Sequence, residues 1–284
     1  MILIIAETAG FCMGVDMALN KLDKAVRNHD RNGTIHTLGP IIHNPQVLER
    51  YQSLGVKQTD GASSLDPADV VIIRAHGIPR EVQKNFEKQG VRLVDATCPK
   101  VKKAQILIQK QAEQGKHLLL FGERDHPEVK GLISYAPEHT VFESLDELRG
   151  LVLSKNATYF LAAQTTQDRD SFSEIRDYLH AQVDSNMAIL DTICTATKDR
   201  QEEVRNLSRR VQAMVVVGGK NSGNTRRLAQ IAREAGVFTV HVETAGELPL
   251  QELKAFERIG LTAGASTPSW IIEEVALTLK ESLG

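Results

Sequence analysis

Cys12, Cys98 and Cys194 are the only thiols of the 284-residue chain. Thiolates ligate soft metals, so these are the residues whose type supports metal or redox chemistry. Their number is odd and their spacing wide, at 86 and 96 residues, which makes a poor disulfide framework. No CxxC pair is present, so a zinc ribbon is not indicated. Taken singly, each reads as an ordinary buried thiol. Their shared setting argues otherwise. Each follows a short apolar stretch: Ile2-Leu3-Ile4-Ile5 before Cys12, Arg92-Leu93-Val94 before Cys98, and Ala188-Ile189-Leu190 before Cys194. The local text recurs as well, as Asp95-Ala96-Thr97-Cys98 and Asp191-Thr192-Ile193-Cys194.

The elements that must position these thiols repeat three times. Helical periodicity follows each cysteine, over about 15–27, 100–114 and 196–211, with Val101, Ala104, Ile108 and Ala112 on one face of the second. A second strand comes next, over 34–38, 117–121 and 214–217, and each ends at a glycine: Gly39, Gly122 or Gly218. Polar groups follow, as His43-Asn44-Pro45, His126-Pro127-Glu128 and Asn221-Ser222-Gly223-Asn224, and each opens a helix over about 45–53, 127–135 or 225–235. A further strand runs into His76-Gly77, Gln164-Thr165-Thr166 or Ser266-Thr267, and another helix opens near Pro79, Asp168 and Pro268. Cysteine to first polar site is 31, 28 and 30 residues, and first to second polar site is 33, 39 and 42. Offsets this similar point to one ancestral unit used three times. Alternating strands and helices imply parallel sheets. Ligands of open α/β sheets bind beyond the carboxyl ends of the strands, where all nine marked positions lie. The expected organisation is three modules, 13–97, 98–193 and 194–284, each directing one cysteine and two polar sites at a common centre. The third ends in a helix from Trp270 to Leu283 and lacks a last strand, so segment 1–12 is expected to complete its sheet.

Three thiolates around one point suit a metal centre. A structural zinc ion would want a fourth ligand, which His43, His76 or His126 would supply. A cubane iron–sulfur cluster held by three cysteines instead keeps one iron open as a Lewis acid. The surrounding donors are His43, His76, His126, Thr165, Thr166, Ser222, Asn224 and Ser266, several at helix N-termini, where free N–H groups bind phosphate. Glu128 is the one carboxylate among them, and a single acid in a donor-rich anion site reads as a proton donor. Each group also has a plain structural role. Pro45 and Pro127 suit first helical positions. Ser222, Asn224, Ser266 and Thr165-Thr166 suit caps, Glu128 suits a first-turn acid, and Arg226-Arg227 a solvated face. The shared register favours function for the group.

Composition narrows the classes. A net charge of −2 argues against a broad nucleic-acid footprint, though not against a local basic pocket. Hydrophobic residues at 42% allow a sizeable core. Met1 opens a strand-like stretch without a basic flank, and no apolar run has the roughly 18 residues of a membrane helix, so a cytoplasmic protein that contacts no membrane is expected. Val217-Gly218-Gly219-Lys220-Asn221-Ser222-Gly223 lacks the spacing of a phosphate loop. No GxGxxG follows the first strand, so electrons must come from a partner protein rather than a bound nicotinamide.

Gly10-Phe11-Cys12-Met13-Gly14-Val15, Ala75-His76-Gly77, Asp95-Ala96-Thr97-Cys98-Pro99, His126-Pro127-Glu128-Val129, Gln164-Thr165-Thr166, Ile193-Cys194-Thr195-Ala196-Thr197, Gly219-Lys220-Asn221-Ser222-Gly223-Asn224-Thr225 and Gly264-Ala265-Ser266-Thr267-Pro268 together resemble the motifs of the 4-hydroxy-3-methylbut-2-enyl diphosphate reductase family, also called IspH or LytB. The resemblance runs from residue 2 to the C-terminus with the motifs in order. It implies an α/β trefoil of three pseudo-symmetric modules with mainly parallel sheets around a central iron–sulfur cluster. It implies one 4Fe–4S cluster on Cys12, Cys98 and Cys194, with one iron open. The implied reaction is reductive dehydroxylation of an allylic alcohol diphosphate, the last step of the non-mevalonate isoprenoid pathway, with a ferredoxin- or flavodoxin-type electron donor. His43, His76, His126, Ser222, Asn224 and Ser266 match diphosphate contacts, and Thr165 and Glu128 match groups near the substrate hydroxyl. Where relatives carry Ser-Ser-Asn, this chain has Ser222-Gly223-Asn224, so any contact at Gly223 comes from its backbone. Two other classes stand beside this reading: an iron–sulfur electron carrier, and a zinc-stabilised module that binds phosphometabolites.

Overall fold

The computed structural model describes residues 1–29, 33–61 and 65–284. The chain opens with β1 (Ile2–Ile5) and α1 (Met13–Arg27). β2 (Ile35–Leu38), α2 (Pro45–Ser53), β3 (Lys57–Thr59), β4 (Val70–Ile73), α3 (Arg80–Lys88) and β5 (Arg92–Asp95) follow. Next come α4 (Pro99–Ala112), β6 (His117–Phe121), α5 (Pro127–Ile133), β7 (His139–Phe142), α6 (Leu145–Arg149), β8 (Tyr159–Ala163), α7 (Arg169–Gln182) and β9 (Ala188–Ile189). The last elements are α8 (Thr195–Ser208), β10 (Ala213–Val217), α9 (Gly223–Glu234), β11 (Phe238–Val242), a 3-10 turn at Ala245–Glu247, α10 (Leu250–Leu253), β12 (Arg258–Ala263) and α11 (Ser269–Leu283).

These strands form three four-stranded sheets, β3-β2-β4-β5, β7-β6-β8-β9 and β11-β10-β12-β1, and every pairing is parallel. The three orders are the same order. β1 lies against β12, with Ile2 beside Arg258 and Ile5 beside Leu261, in the edge place that β5 and β9 hold in the other sheets. In the first two sheets the chain leaves the two inner strands toward opposite edges, which makes the gap between them a topological switch point; in the third, β10 leads to the β11 edge while β1, from the start of the chain, fills the other edge. The inner strands β4, β8 and β10 are buried along their whole length, so they read as continuous apolar runs.

Backbone contacts group the chain into two compact units: 1–16 with 42–50 and 195–284, and 17–41 with 51–194. In the first unit, alternate residues of β10 face opposite ways. Val215 and Val217 pack with Ile271, Val275 and Leu279 of α11, and Met214 and Val216 pack with Val204 of α8 and Leu228 of α9. In the second unit, Leu119 and Phe121 of β6 pack with Phe172, Ile175 and Leu179 of α7, while Leu118 and Leu120 pack with Ile108 of α4 and Val129 of α5. Val71 and Ile73 of β4 cover Phe86 of α3. Among the described residues, no helix is long and apolar enough to cross a membrane.

Candidate functional site

Each cysteine sits between a strand and the first turn of a helix. Cys12 directly precedes α1, Cys98 is the N-cap residue of α4 with Pro99 in its first turn, and Cys194 directly precedes α8. Each is tied down through its backbone in the same way. The Cys98 N–H donates to the Ala75 carbonyl at 2.9 Å, the Cys194 N–H to Thr165 at 2.9 Å, and the Cys12 N–H to Ala265 at 3.2 Å. All three acceptors stand two residues beyond an inner strand: β4, β8 and β12. The carbonyls of Cys12 and Cys98 accept from Asp16 and Lys102, both at 3.0 Å. The backbone at each cysteine is thus fixed by the neighbouring strand end. None of the three is in a disulfide, and each is half-buried. The partial positive charge of a helix N-terminus favours an anionic ligand atom at all three places.

The loop before Cys12 has supports that the sequence did not disclose. Glu203 of α8 accepts from the Thr8 N–H at 2.9 Å and from the Thr8 hydroxyl. Arg200, buried on the same helix, donates to the Gly10 carbonyl at 2.8 Å and to Ala196 at 3.0 Å. Gly10 adopts φ +109°, a backbone conformation that side chains disfavour. In sequence, Arg200 and Glu203 read as an ordinary charged helix face, and no spacing signal marks them.

In the first unit, Ser222 caps α9 by accepting from the Thr225 N–H at 3.3 Å, which leaves the Gly223 and Asn224 N–H groups at an open helix N-terminus. The Ser266 hydroxyl donates to the His43 carbonyl at 3.2 Å and lies 3.5 Å from the Ser222 hydroxyl. Asn44 caps α2, accepting from Val47 at 3.0 Å. The side-chain amide nitrogens of Asn44 and Asn224 are buried and have no hydrogen-bond partner. Buried donors without acceptors are costly, so this cluster suits a ligand rich in acceptor oxygens. Glycine permits its packing: a Cβ at Gly264 would stand 1.9 Å from the Thr225 hydroxyl, and one at Gly219 would stand 2.4 Å from the His43 carbonyl. Lys220 points elsewhere, donating to Glu247 at 2.7 Å, in keeping with the absent phosphate-loop spacing.

In the second unit, His126 caps α5, with its Nδ1 accepting from the Glu128 N–H at 3.1 Å. That bond occupies the Nδ1 lone pair and leaves Nε2 to carry the ring proton, so His126 is a neutral donor through Nε2. The His76 ring meets it edge-on at 5.3 Å. The Glu128 carboxylate is 1% exposed and accepts twice from Thr165, from its N–H at 2.6 Å and from its hydroxyl at 2.9 Å. Burial pushes its carboxyl up from 4.5 to about 7, against the Thr165 bonds, which pull it down. Thr165 therefore links two candidate groups: its side chain and N–H donate to Glu128, and its carbonyl accepts from the Cys194 N–H. Thr166 is committed elsewhere, accepting from the Gln164 amide at 3.0 Å, and the cap of α7 is Asp168.

The structural register refines the equivalences read from spacing. The helix caps that correspond are Asn44, His126 and Ser222, so His43 and Asn224 flank the matching positions rather than occupy them. By the carbonyls that hold the cysteines, Ala75, Thr165 and Ala265 correspond, which sets His76 opposite Thr166 and Ser266.

Residues 3–280 match the protein family described as LytB protein. A 4-hydroxy-3-methylbut-2-enyl diphosphate reductase of Nitratidesulfovibrio vulgaris (strain DSM 19637 / Miyazaki F) is 55% identical over 271 residues, which cover 95% of this chain and 96% of the relative. A solved structure of (E)-4-hydroxy-3-methyl-but-2-enyl diphosphate reductase, the terminal enzyme of the non-mevalonate pathway, is similar with a TM-score of 0.71 and 40% identity, over 99% of this chain and 100% of that one. The structure of the E-1-hydroxy-2-methyl-but-2-enyl-4-diphosphate reductase from Plasmodium falciparum is similar with a TM-score of 0.92 and 26% identity, over 98% and 88% of the two chains. With agreement of this extent in sequence and in fold, the chain belongs to the LytB family.

Proposed function

We propose that the chain reduces (E)-4-hydroxy-3-methylbut-2-enyl diphosphate to isopentenyl and dimethylallyl diphosphates, the last step of the non-mevalonate isoprenoid pathway. Membership of the LytB family along nearly the whole chain is the observation that carries this reading. The balance is two electrons and two protons consumed, one C–O bond broken, one water released and one C–H bond formed.

Cys12, Cys98 and Cys194 are assigned as the ligands of a 4Fe–4S cluster, and the donor chemistry fits. All three are cysteines outside disulfides, each at a helix start and each fixed by the same backbone bond. Such a cluster, held by these three thiolates, would supply the electrons and a Lewis acid for the leaving hydroxyl. Diphosphate binding is assigned to His43, Ser222, the Gly223 backbone, Asn224 and Ser266 in the first unit, and to His76 and His126 in the second. The unpartnered Asn224 amide and the open N-terminus of α9 support the first set. The neutral Nε2 donor of His126 supports the second.

Glu128 and Thr165 are assigned to proton transfer at the leaving oxygen. When Glu128 is ionised, the Thr165 hydroxyl must donate to it. When Glu128 is protonated, that bond can reverse, and the Thr165 hydrogen turns outward. A carboxyl near 7 populates both states at neutral pH, which is the condition for a relay that gives one proton and is then refilled. Three cysteines kept as metal ligands suit a reducing compartment, and the cytoplasm is assigned on that ground, with a ferredoxin- or flavodoxin-type protein as electron donor. The common strand order and the common cysteine bond support modules 13–97, 98–193 and 194–284 with 1–12 as copies of one unit. The test is anaerobic reconstitution with iron and sulfide, then turnover of the diphosphate with reduced methyl viologen. A brown, cluster-loaded chain that leaves the diphosphate unchanged would overturn the reading.

A further inference from the structure

We propose that the groove between α1 and α4 is the docking face for a small acidic electron-carrier protein, which delivers electrons beside Cys98. The need for a carrier rests on the reductase reading above; the face itself rests on the structure. The groove lies wholly within the second unit, and Thr97 and Pro99, the two neighbours of Cys98, line it. Its walls are Met17 of α1 and Ile106 and Leu107 of α4, and Ile106 is 65% exposed, an apolar side chain left to solvent. Lys21, Lys102 and Lys103 rim it.

Charge selects the occupant. α4 carries Lys100, Lys102, Lys103 and Lys110 and not one acidic residue, in a chain whose net charge is −2. A second concavity continues the basic surface through Lys21 to Lys24 and Arg92. Lys21 is held in place by donating to the Asp95 carbonyl at 2.6 Å. α1 carries two acids, Asp16 and Asp23, against Lys21, Lys24 and Arg27; Asp23 accepts from the Tyr51 hydroxyl at 2.7 Å, and the Asp95 carboxylate pairs with Lys102. A local excess of lysine around a small apolar patch steers an acidic partner and then desolvates against it. A partner seated there stands one residue from a cysteine assigned to the cluster. Each reduced carrier gives up one electron and leaves oxidised, so two dockings supply the two electrons of one turnover.

The experiment titrates the full chain, reconstituted anaerobically, with a purified acidic bacterial ferredoxin at low and at raised salt. Native binding should weaken with salt. The double variant Lys102→Glu/Lys103→Glu should bind about tenfold more weakly at low salt, because reversed rim charges repel the partner. Lys103→Glu alone spares the Lys102–Asp95 pair and should cost about threefold. The matched reversal Arg209→Glu/Arg210→Glu, just past α8, should change nothing. Ferredoxin-driven turnover should fall with affinity while viologen-driven turnover stays native, which establishes that the variants are folded and loaded. Equal ferredoxin affinity in the native chain and in Lys103→Glu and the double variant overturns the docking face. Binding needs no substrate: a chain that binds ferredoxin through these lysines yet does not turn over the diphosphate with viologen retains the face and loses the reductase reading.

Discussion

Replacing Glu128 with glutamine separates proton chemistry from packing, because the amide can keep both bonds to Thr165: its oxygen accepts from the Thr165 N–H and its NH2 group donates to the hydroxyl. What it removes is a titration. The Glu128 carboxyl lies at about 7 in the folded chain and at 4.5 as an ordinary glutamate. A raised carboxyl stabilises the fold below the unfolded value, and that contribution is lost as pH rises through the folded one. Between those limits native stability should fall by about 3 kcal/mol, since each unit is worth about 1.4 kcal/mol. In a chain of this size that is a melting-temperature difference of roughly 5 °C. Glu128→Gln lacks this decline, so its melting temperature relative to native should rise from pH 5 to pH 8. Its turnover should fall by about 10²–10⁴-fold, the usual contribution of a positioned acid. Cluster absorbance should be intact, and diphosphate affinity equal or slightly tighter, because an anion has left an anion site. Thermal melts across pH, substrate titration and single-turnover rates on the one variant measure all of this. Near-normal turnover would remove Glu128 from the mechanism. Parallel pH slopes for the two proteins would refute the desolvated carboxyl itself.

Thr165→Ala deletes the hydroxyl but keeps the backbone bonds to Glu128 and Cys194, so cluster content should hold while turnover falls, and the alkaline limb of the pH–rate profile should move up because one bond that lowers the Glu128 carboxyl is gone. Gly264→Ala places a Cβ 1.9 Å from the Thr225 hydroxyl, which should displace the first turn of α9, lower stability by about 1–3 kcal/mol in denaturant melts, and raise KM more than it lowers kcat. Cys12→Ser, Cys98→Ser and Cys194→Ser should each lower iron and sulfide content on reconstitution by a similar factor, read by metal analysis; one variant that loads like the native chain would remove that cysteine from the ligand set.

Much of the fold was legible in the sequence, and the gaps have physical causes. The inner strands are buried on both faces, so 70–73, 159–163 and 213–217 stand out as apolar runs, and the helices carry clear periodicity. The outer strands β3, β7 and β11 left no comparable signal. Lys57-Gln58-Thr59 is three residues long and largely exposed, and His139–Phe142 and Phe238–Val242 each bury only their last residue. An edge strand with one partner and a wet face needs no apolar run, and exposed polar residues also guard it against further pairing. The strand-end and helix-start positions of the candidate residues were legible where they repeat, and the contacts made across the fold were not. Glu203 and Arg200 are far in sequence from the loop they hold, and the bonds that offset the desolvation of Glu128 come from Thr165, 37 residues away.

The registers explain how one scaffold can hold different chemistry in each copy. At the position two residues past the inner strand, the shared task belongs to the carbonyl, which every residue type provides and no substitution removes. The side chain there is free to diverge, and the three copies carry Ala75, Thr165 and Ala265. Likewise, Asn44, His126 and Ser222 each cap a helix with a different acceptor atom, and the residue two places on is Gln46, Glu128 or Asn224. Only the second module has both a hydroxyl at the first position and a carboxyl at the second, and only there do the two meet, at 2.9 Å. The first and third copies carry Ala75 and Ala265 where the second has Thr165, so neither offers a hydroxyl at that position. Under the proposed assignment, the carboxyl set beside that threonine is therefore what adds proton transfer to one copy of the repeated unit.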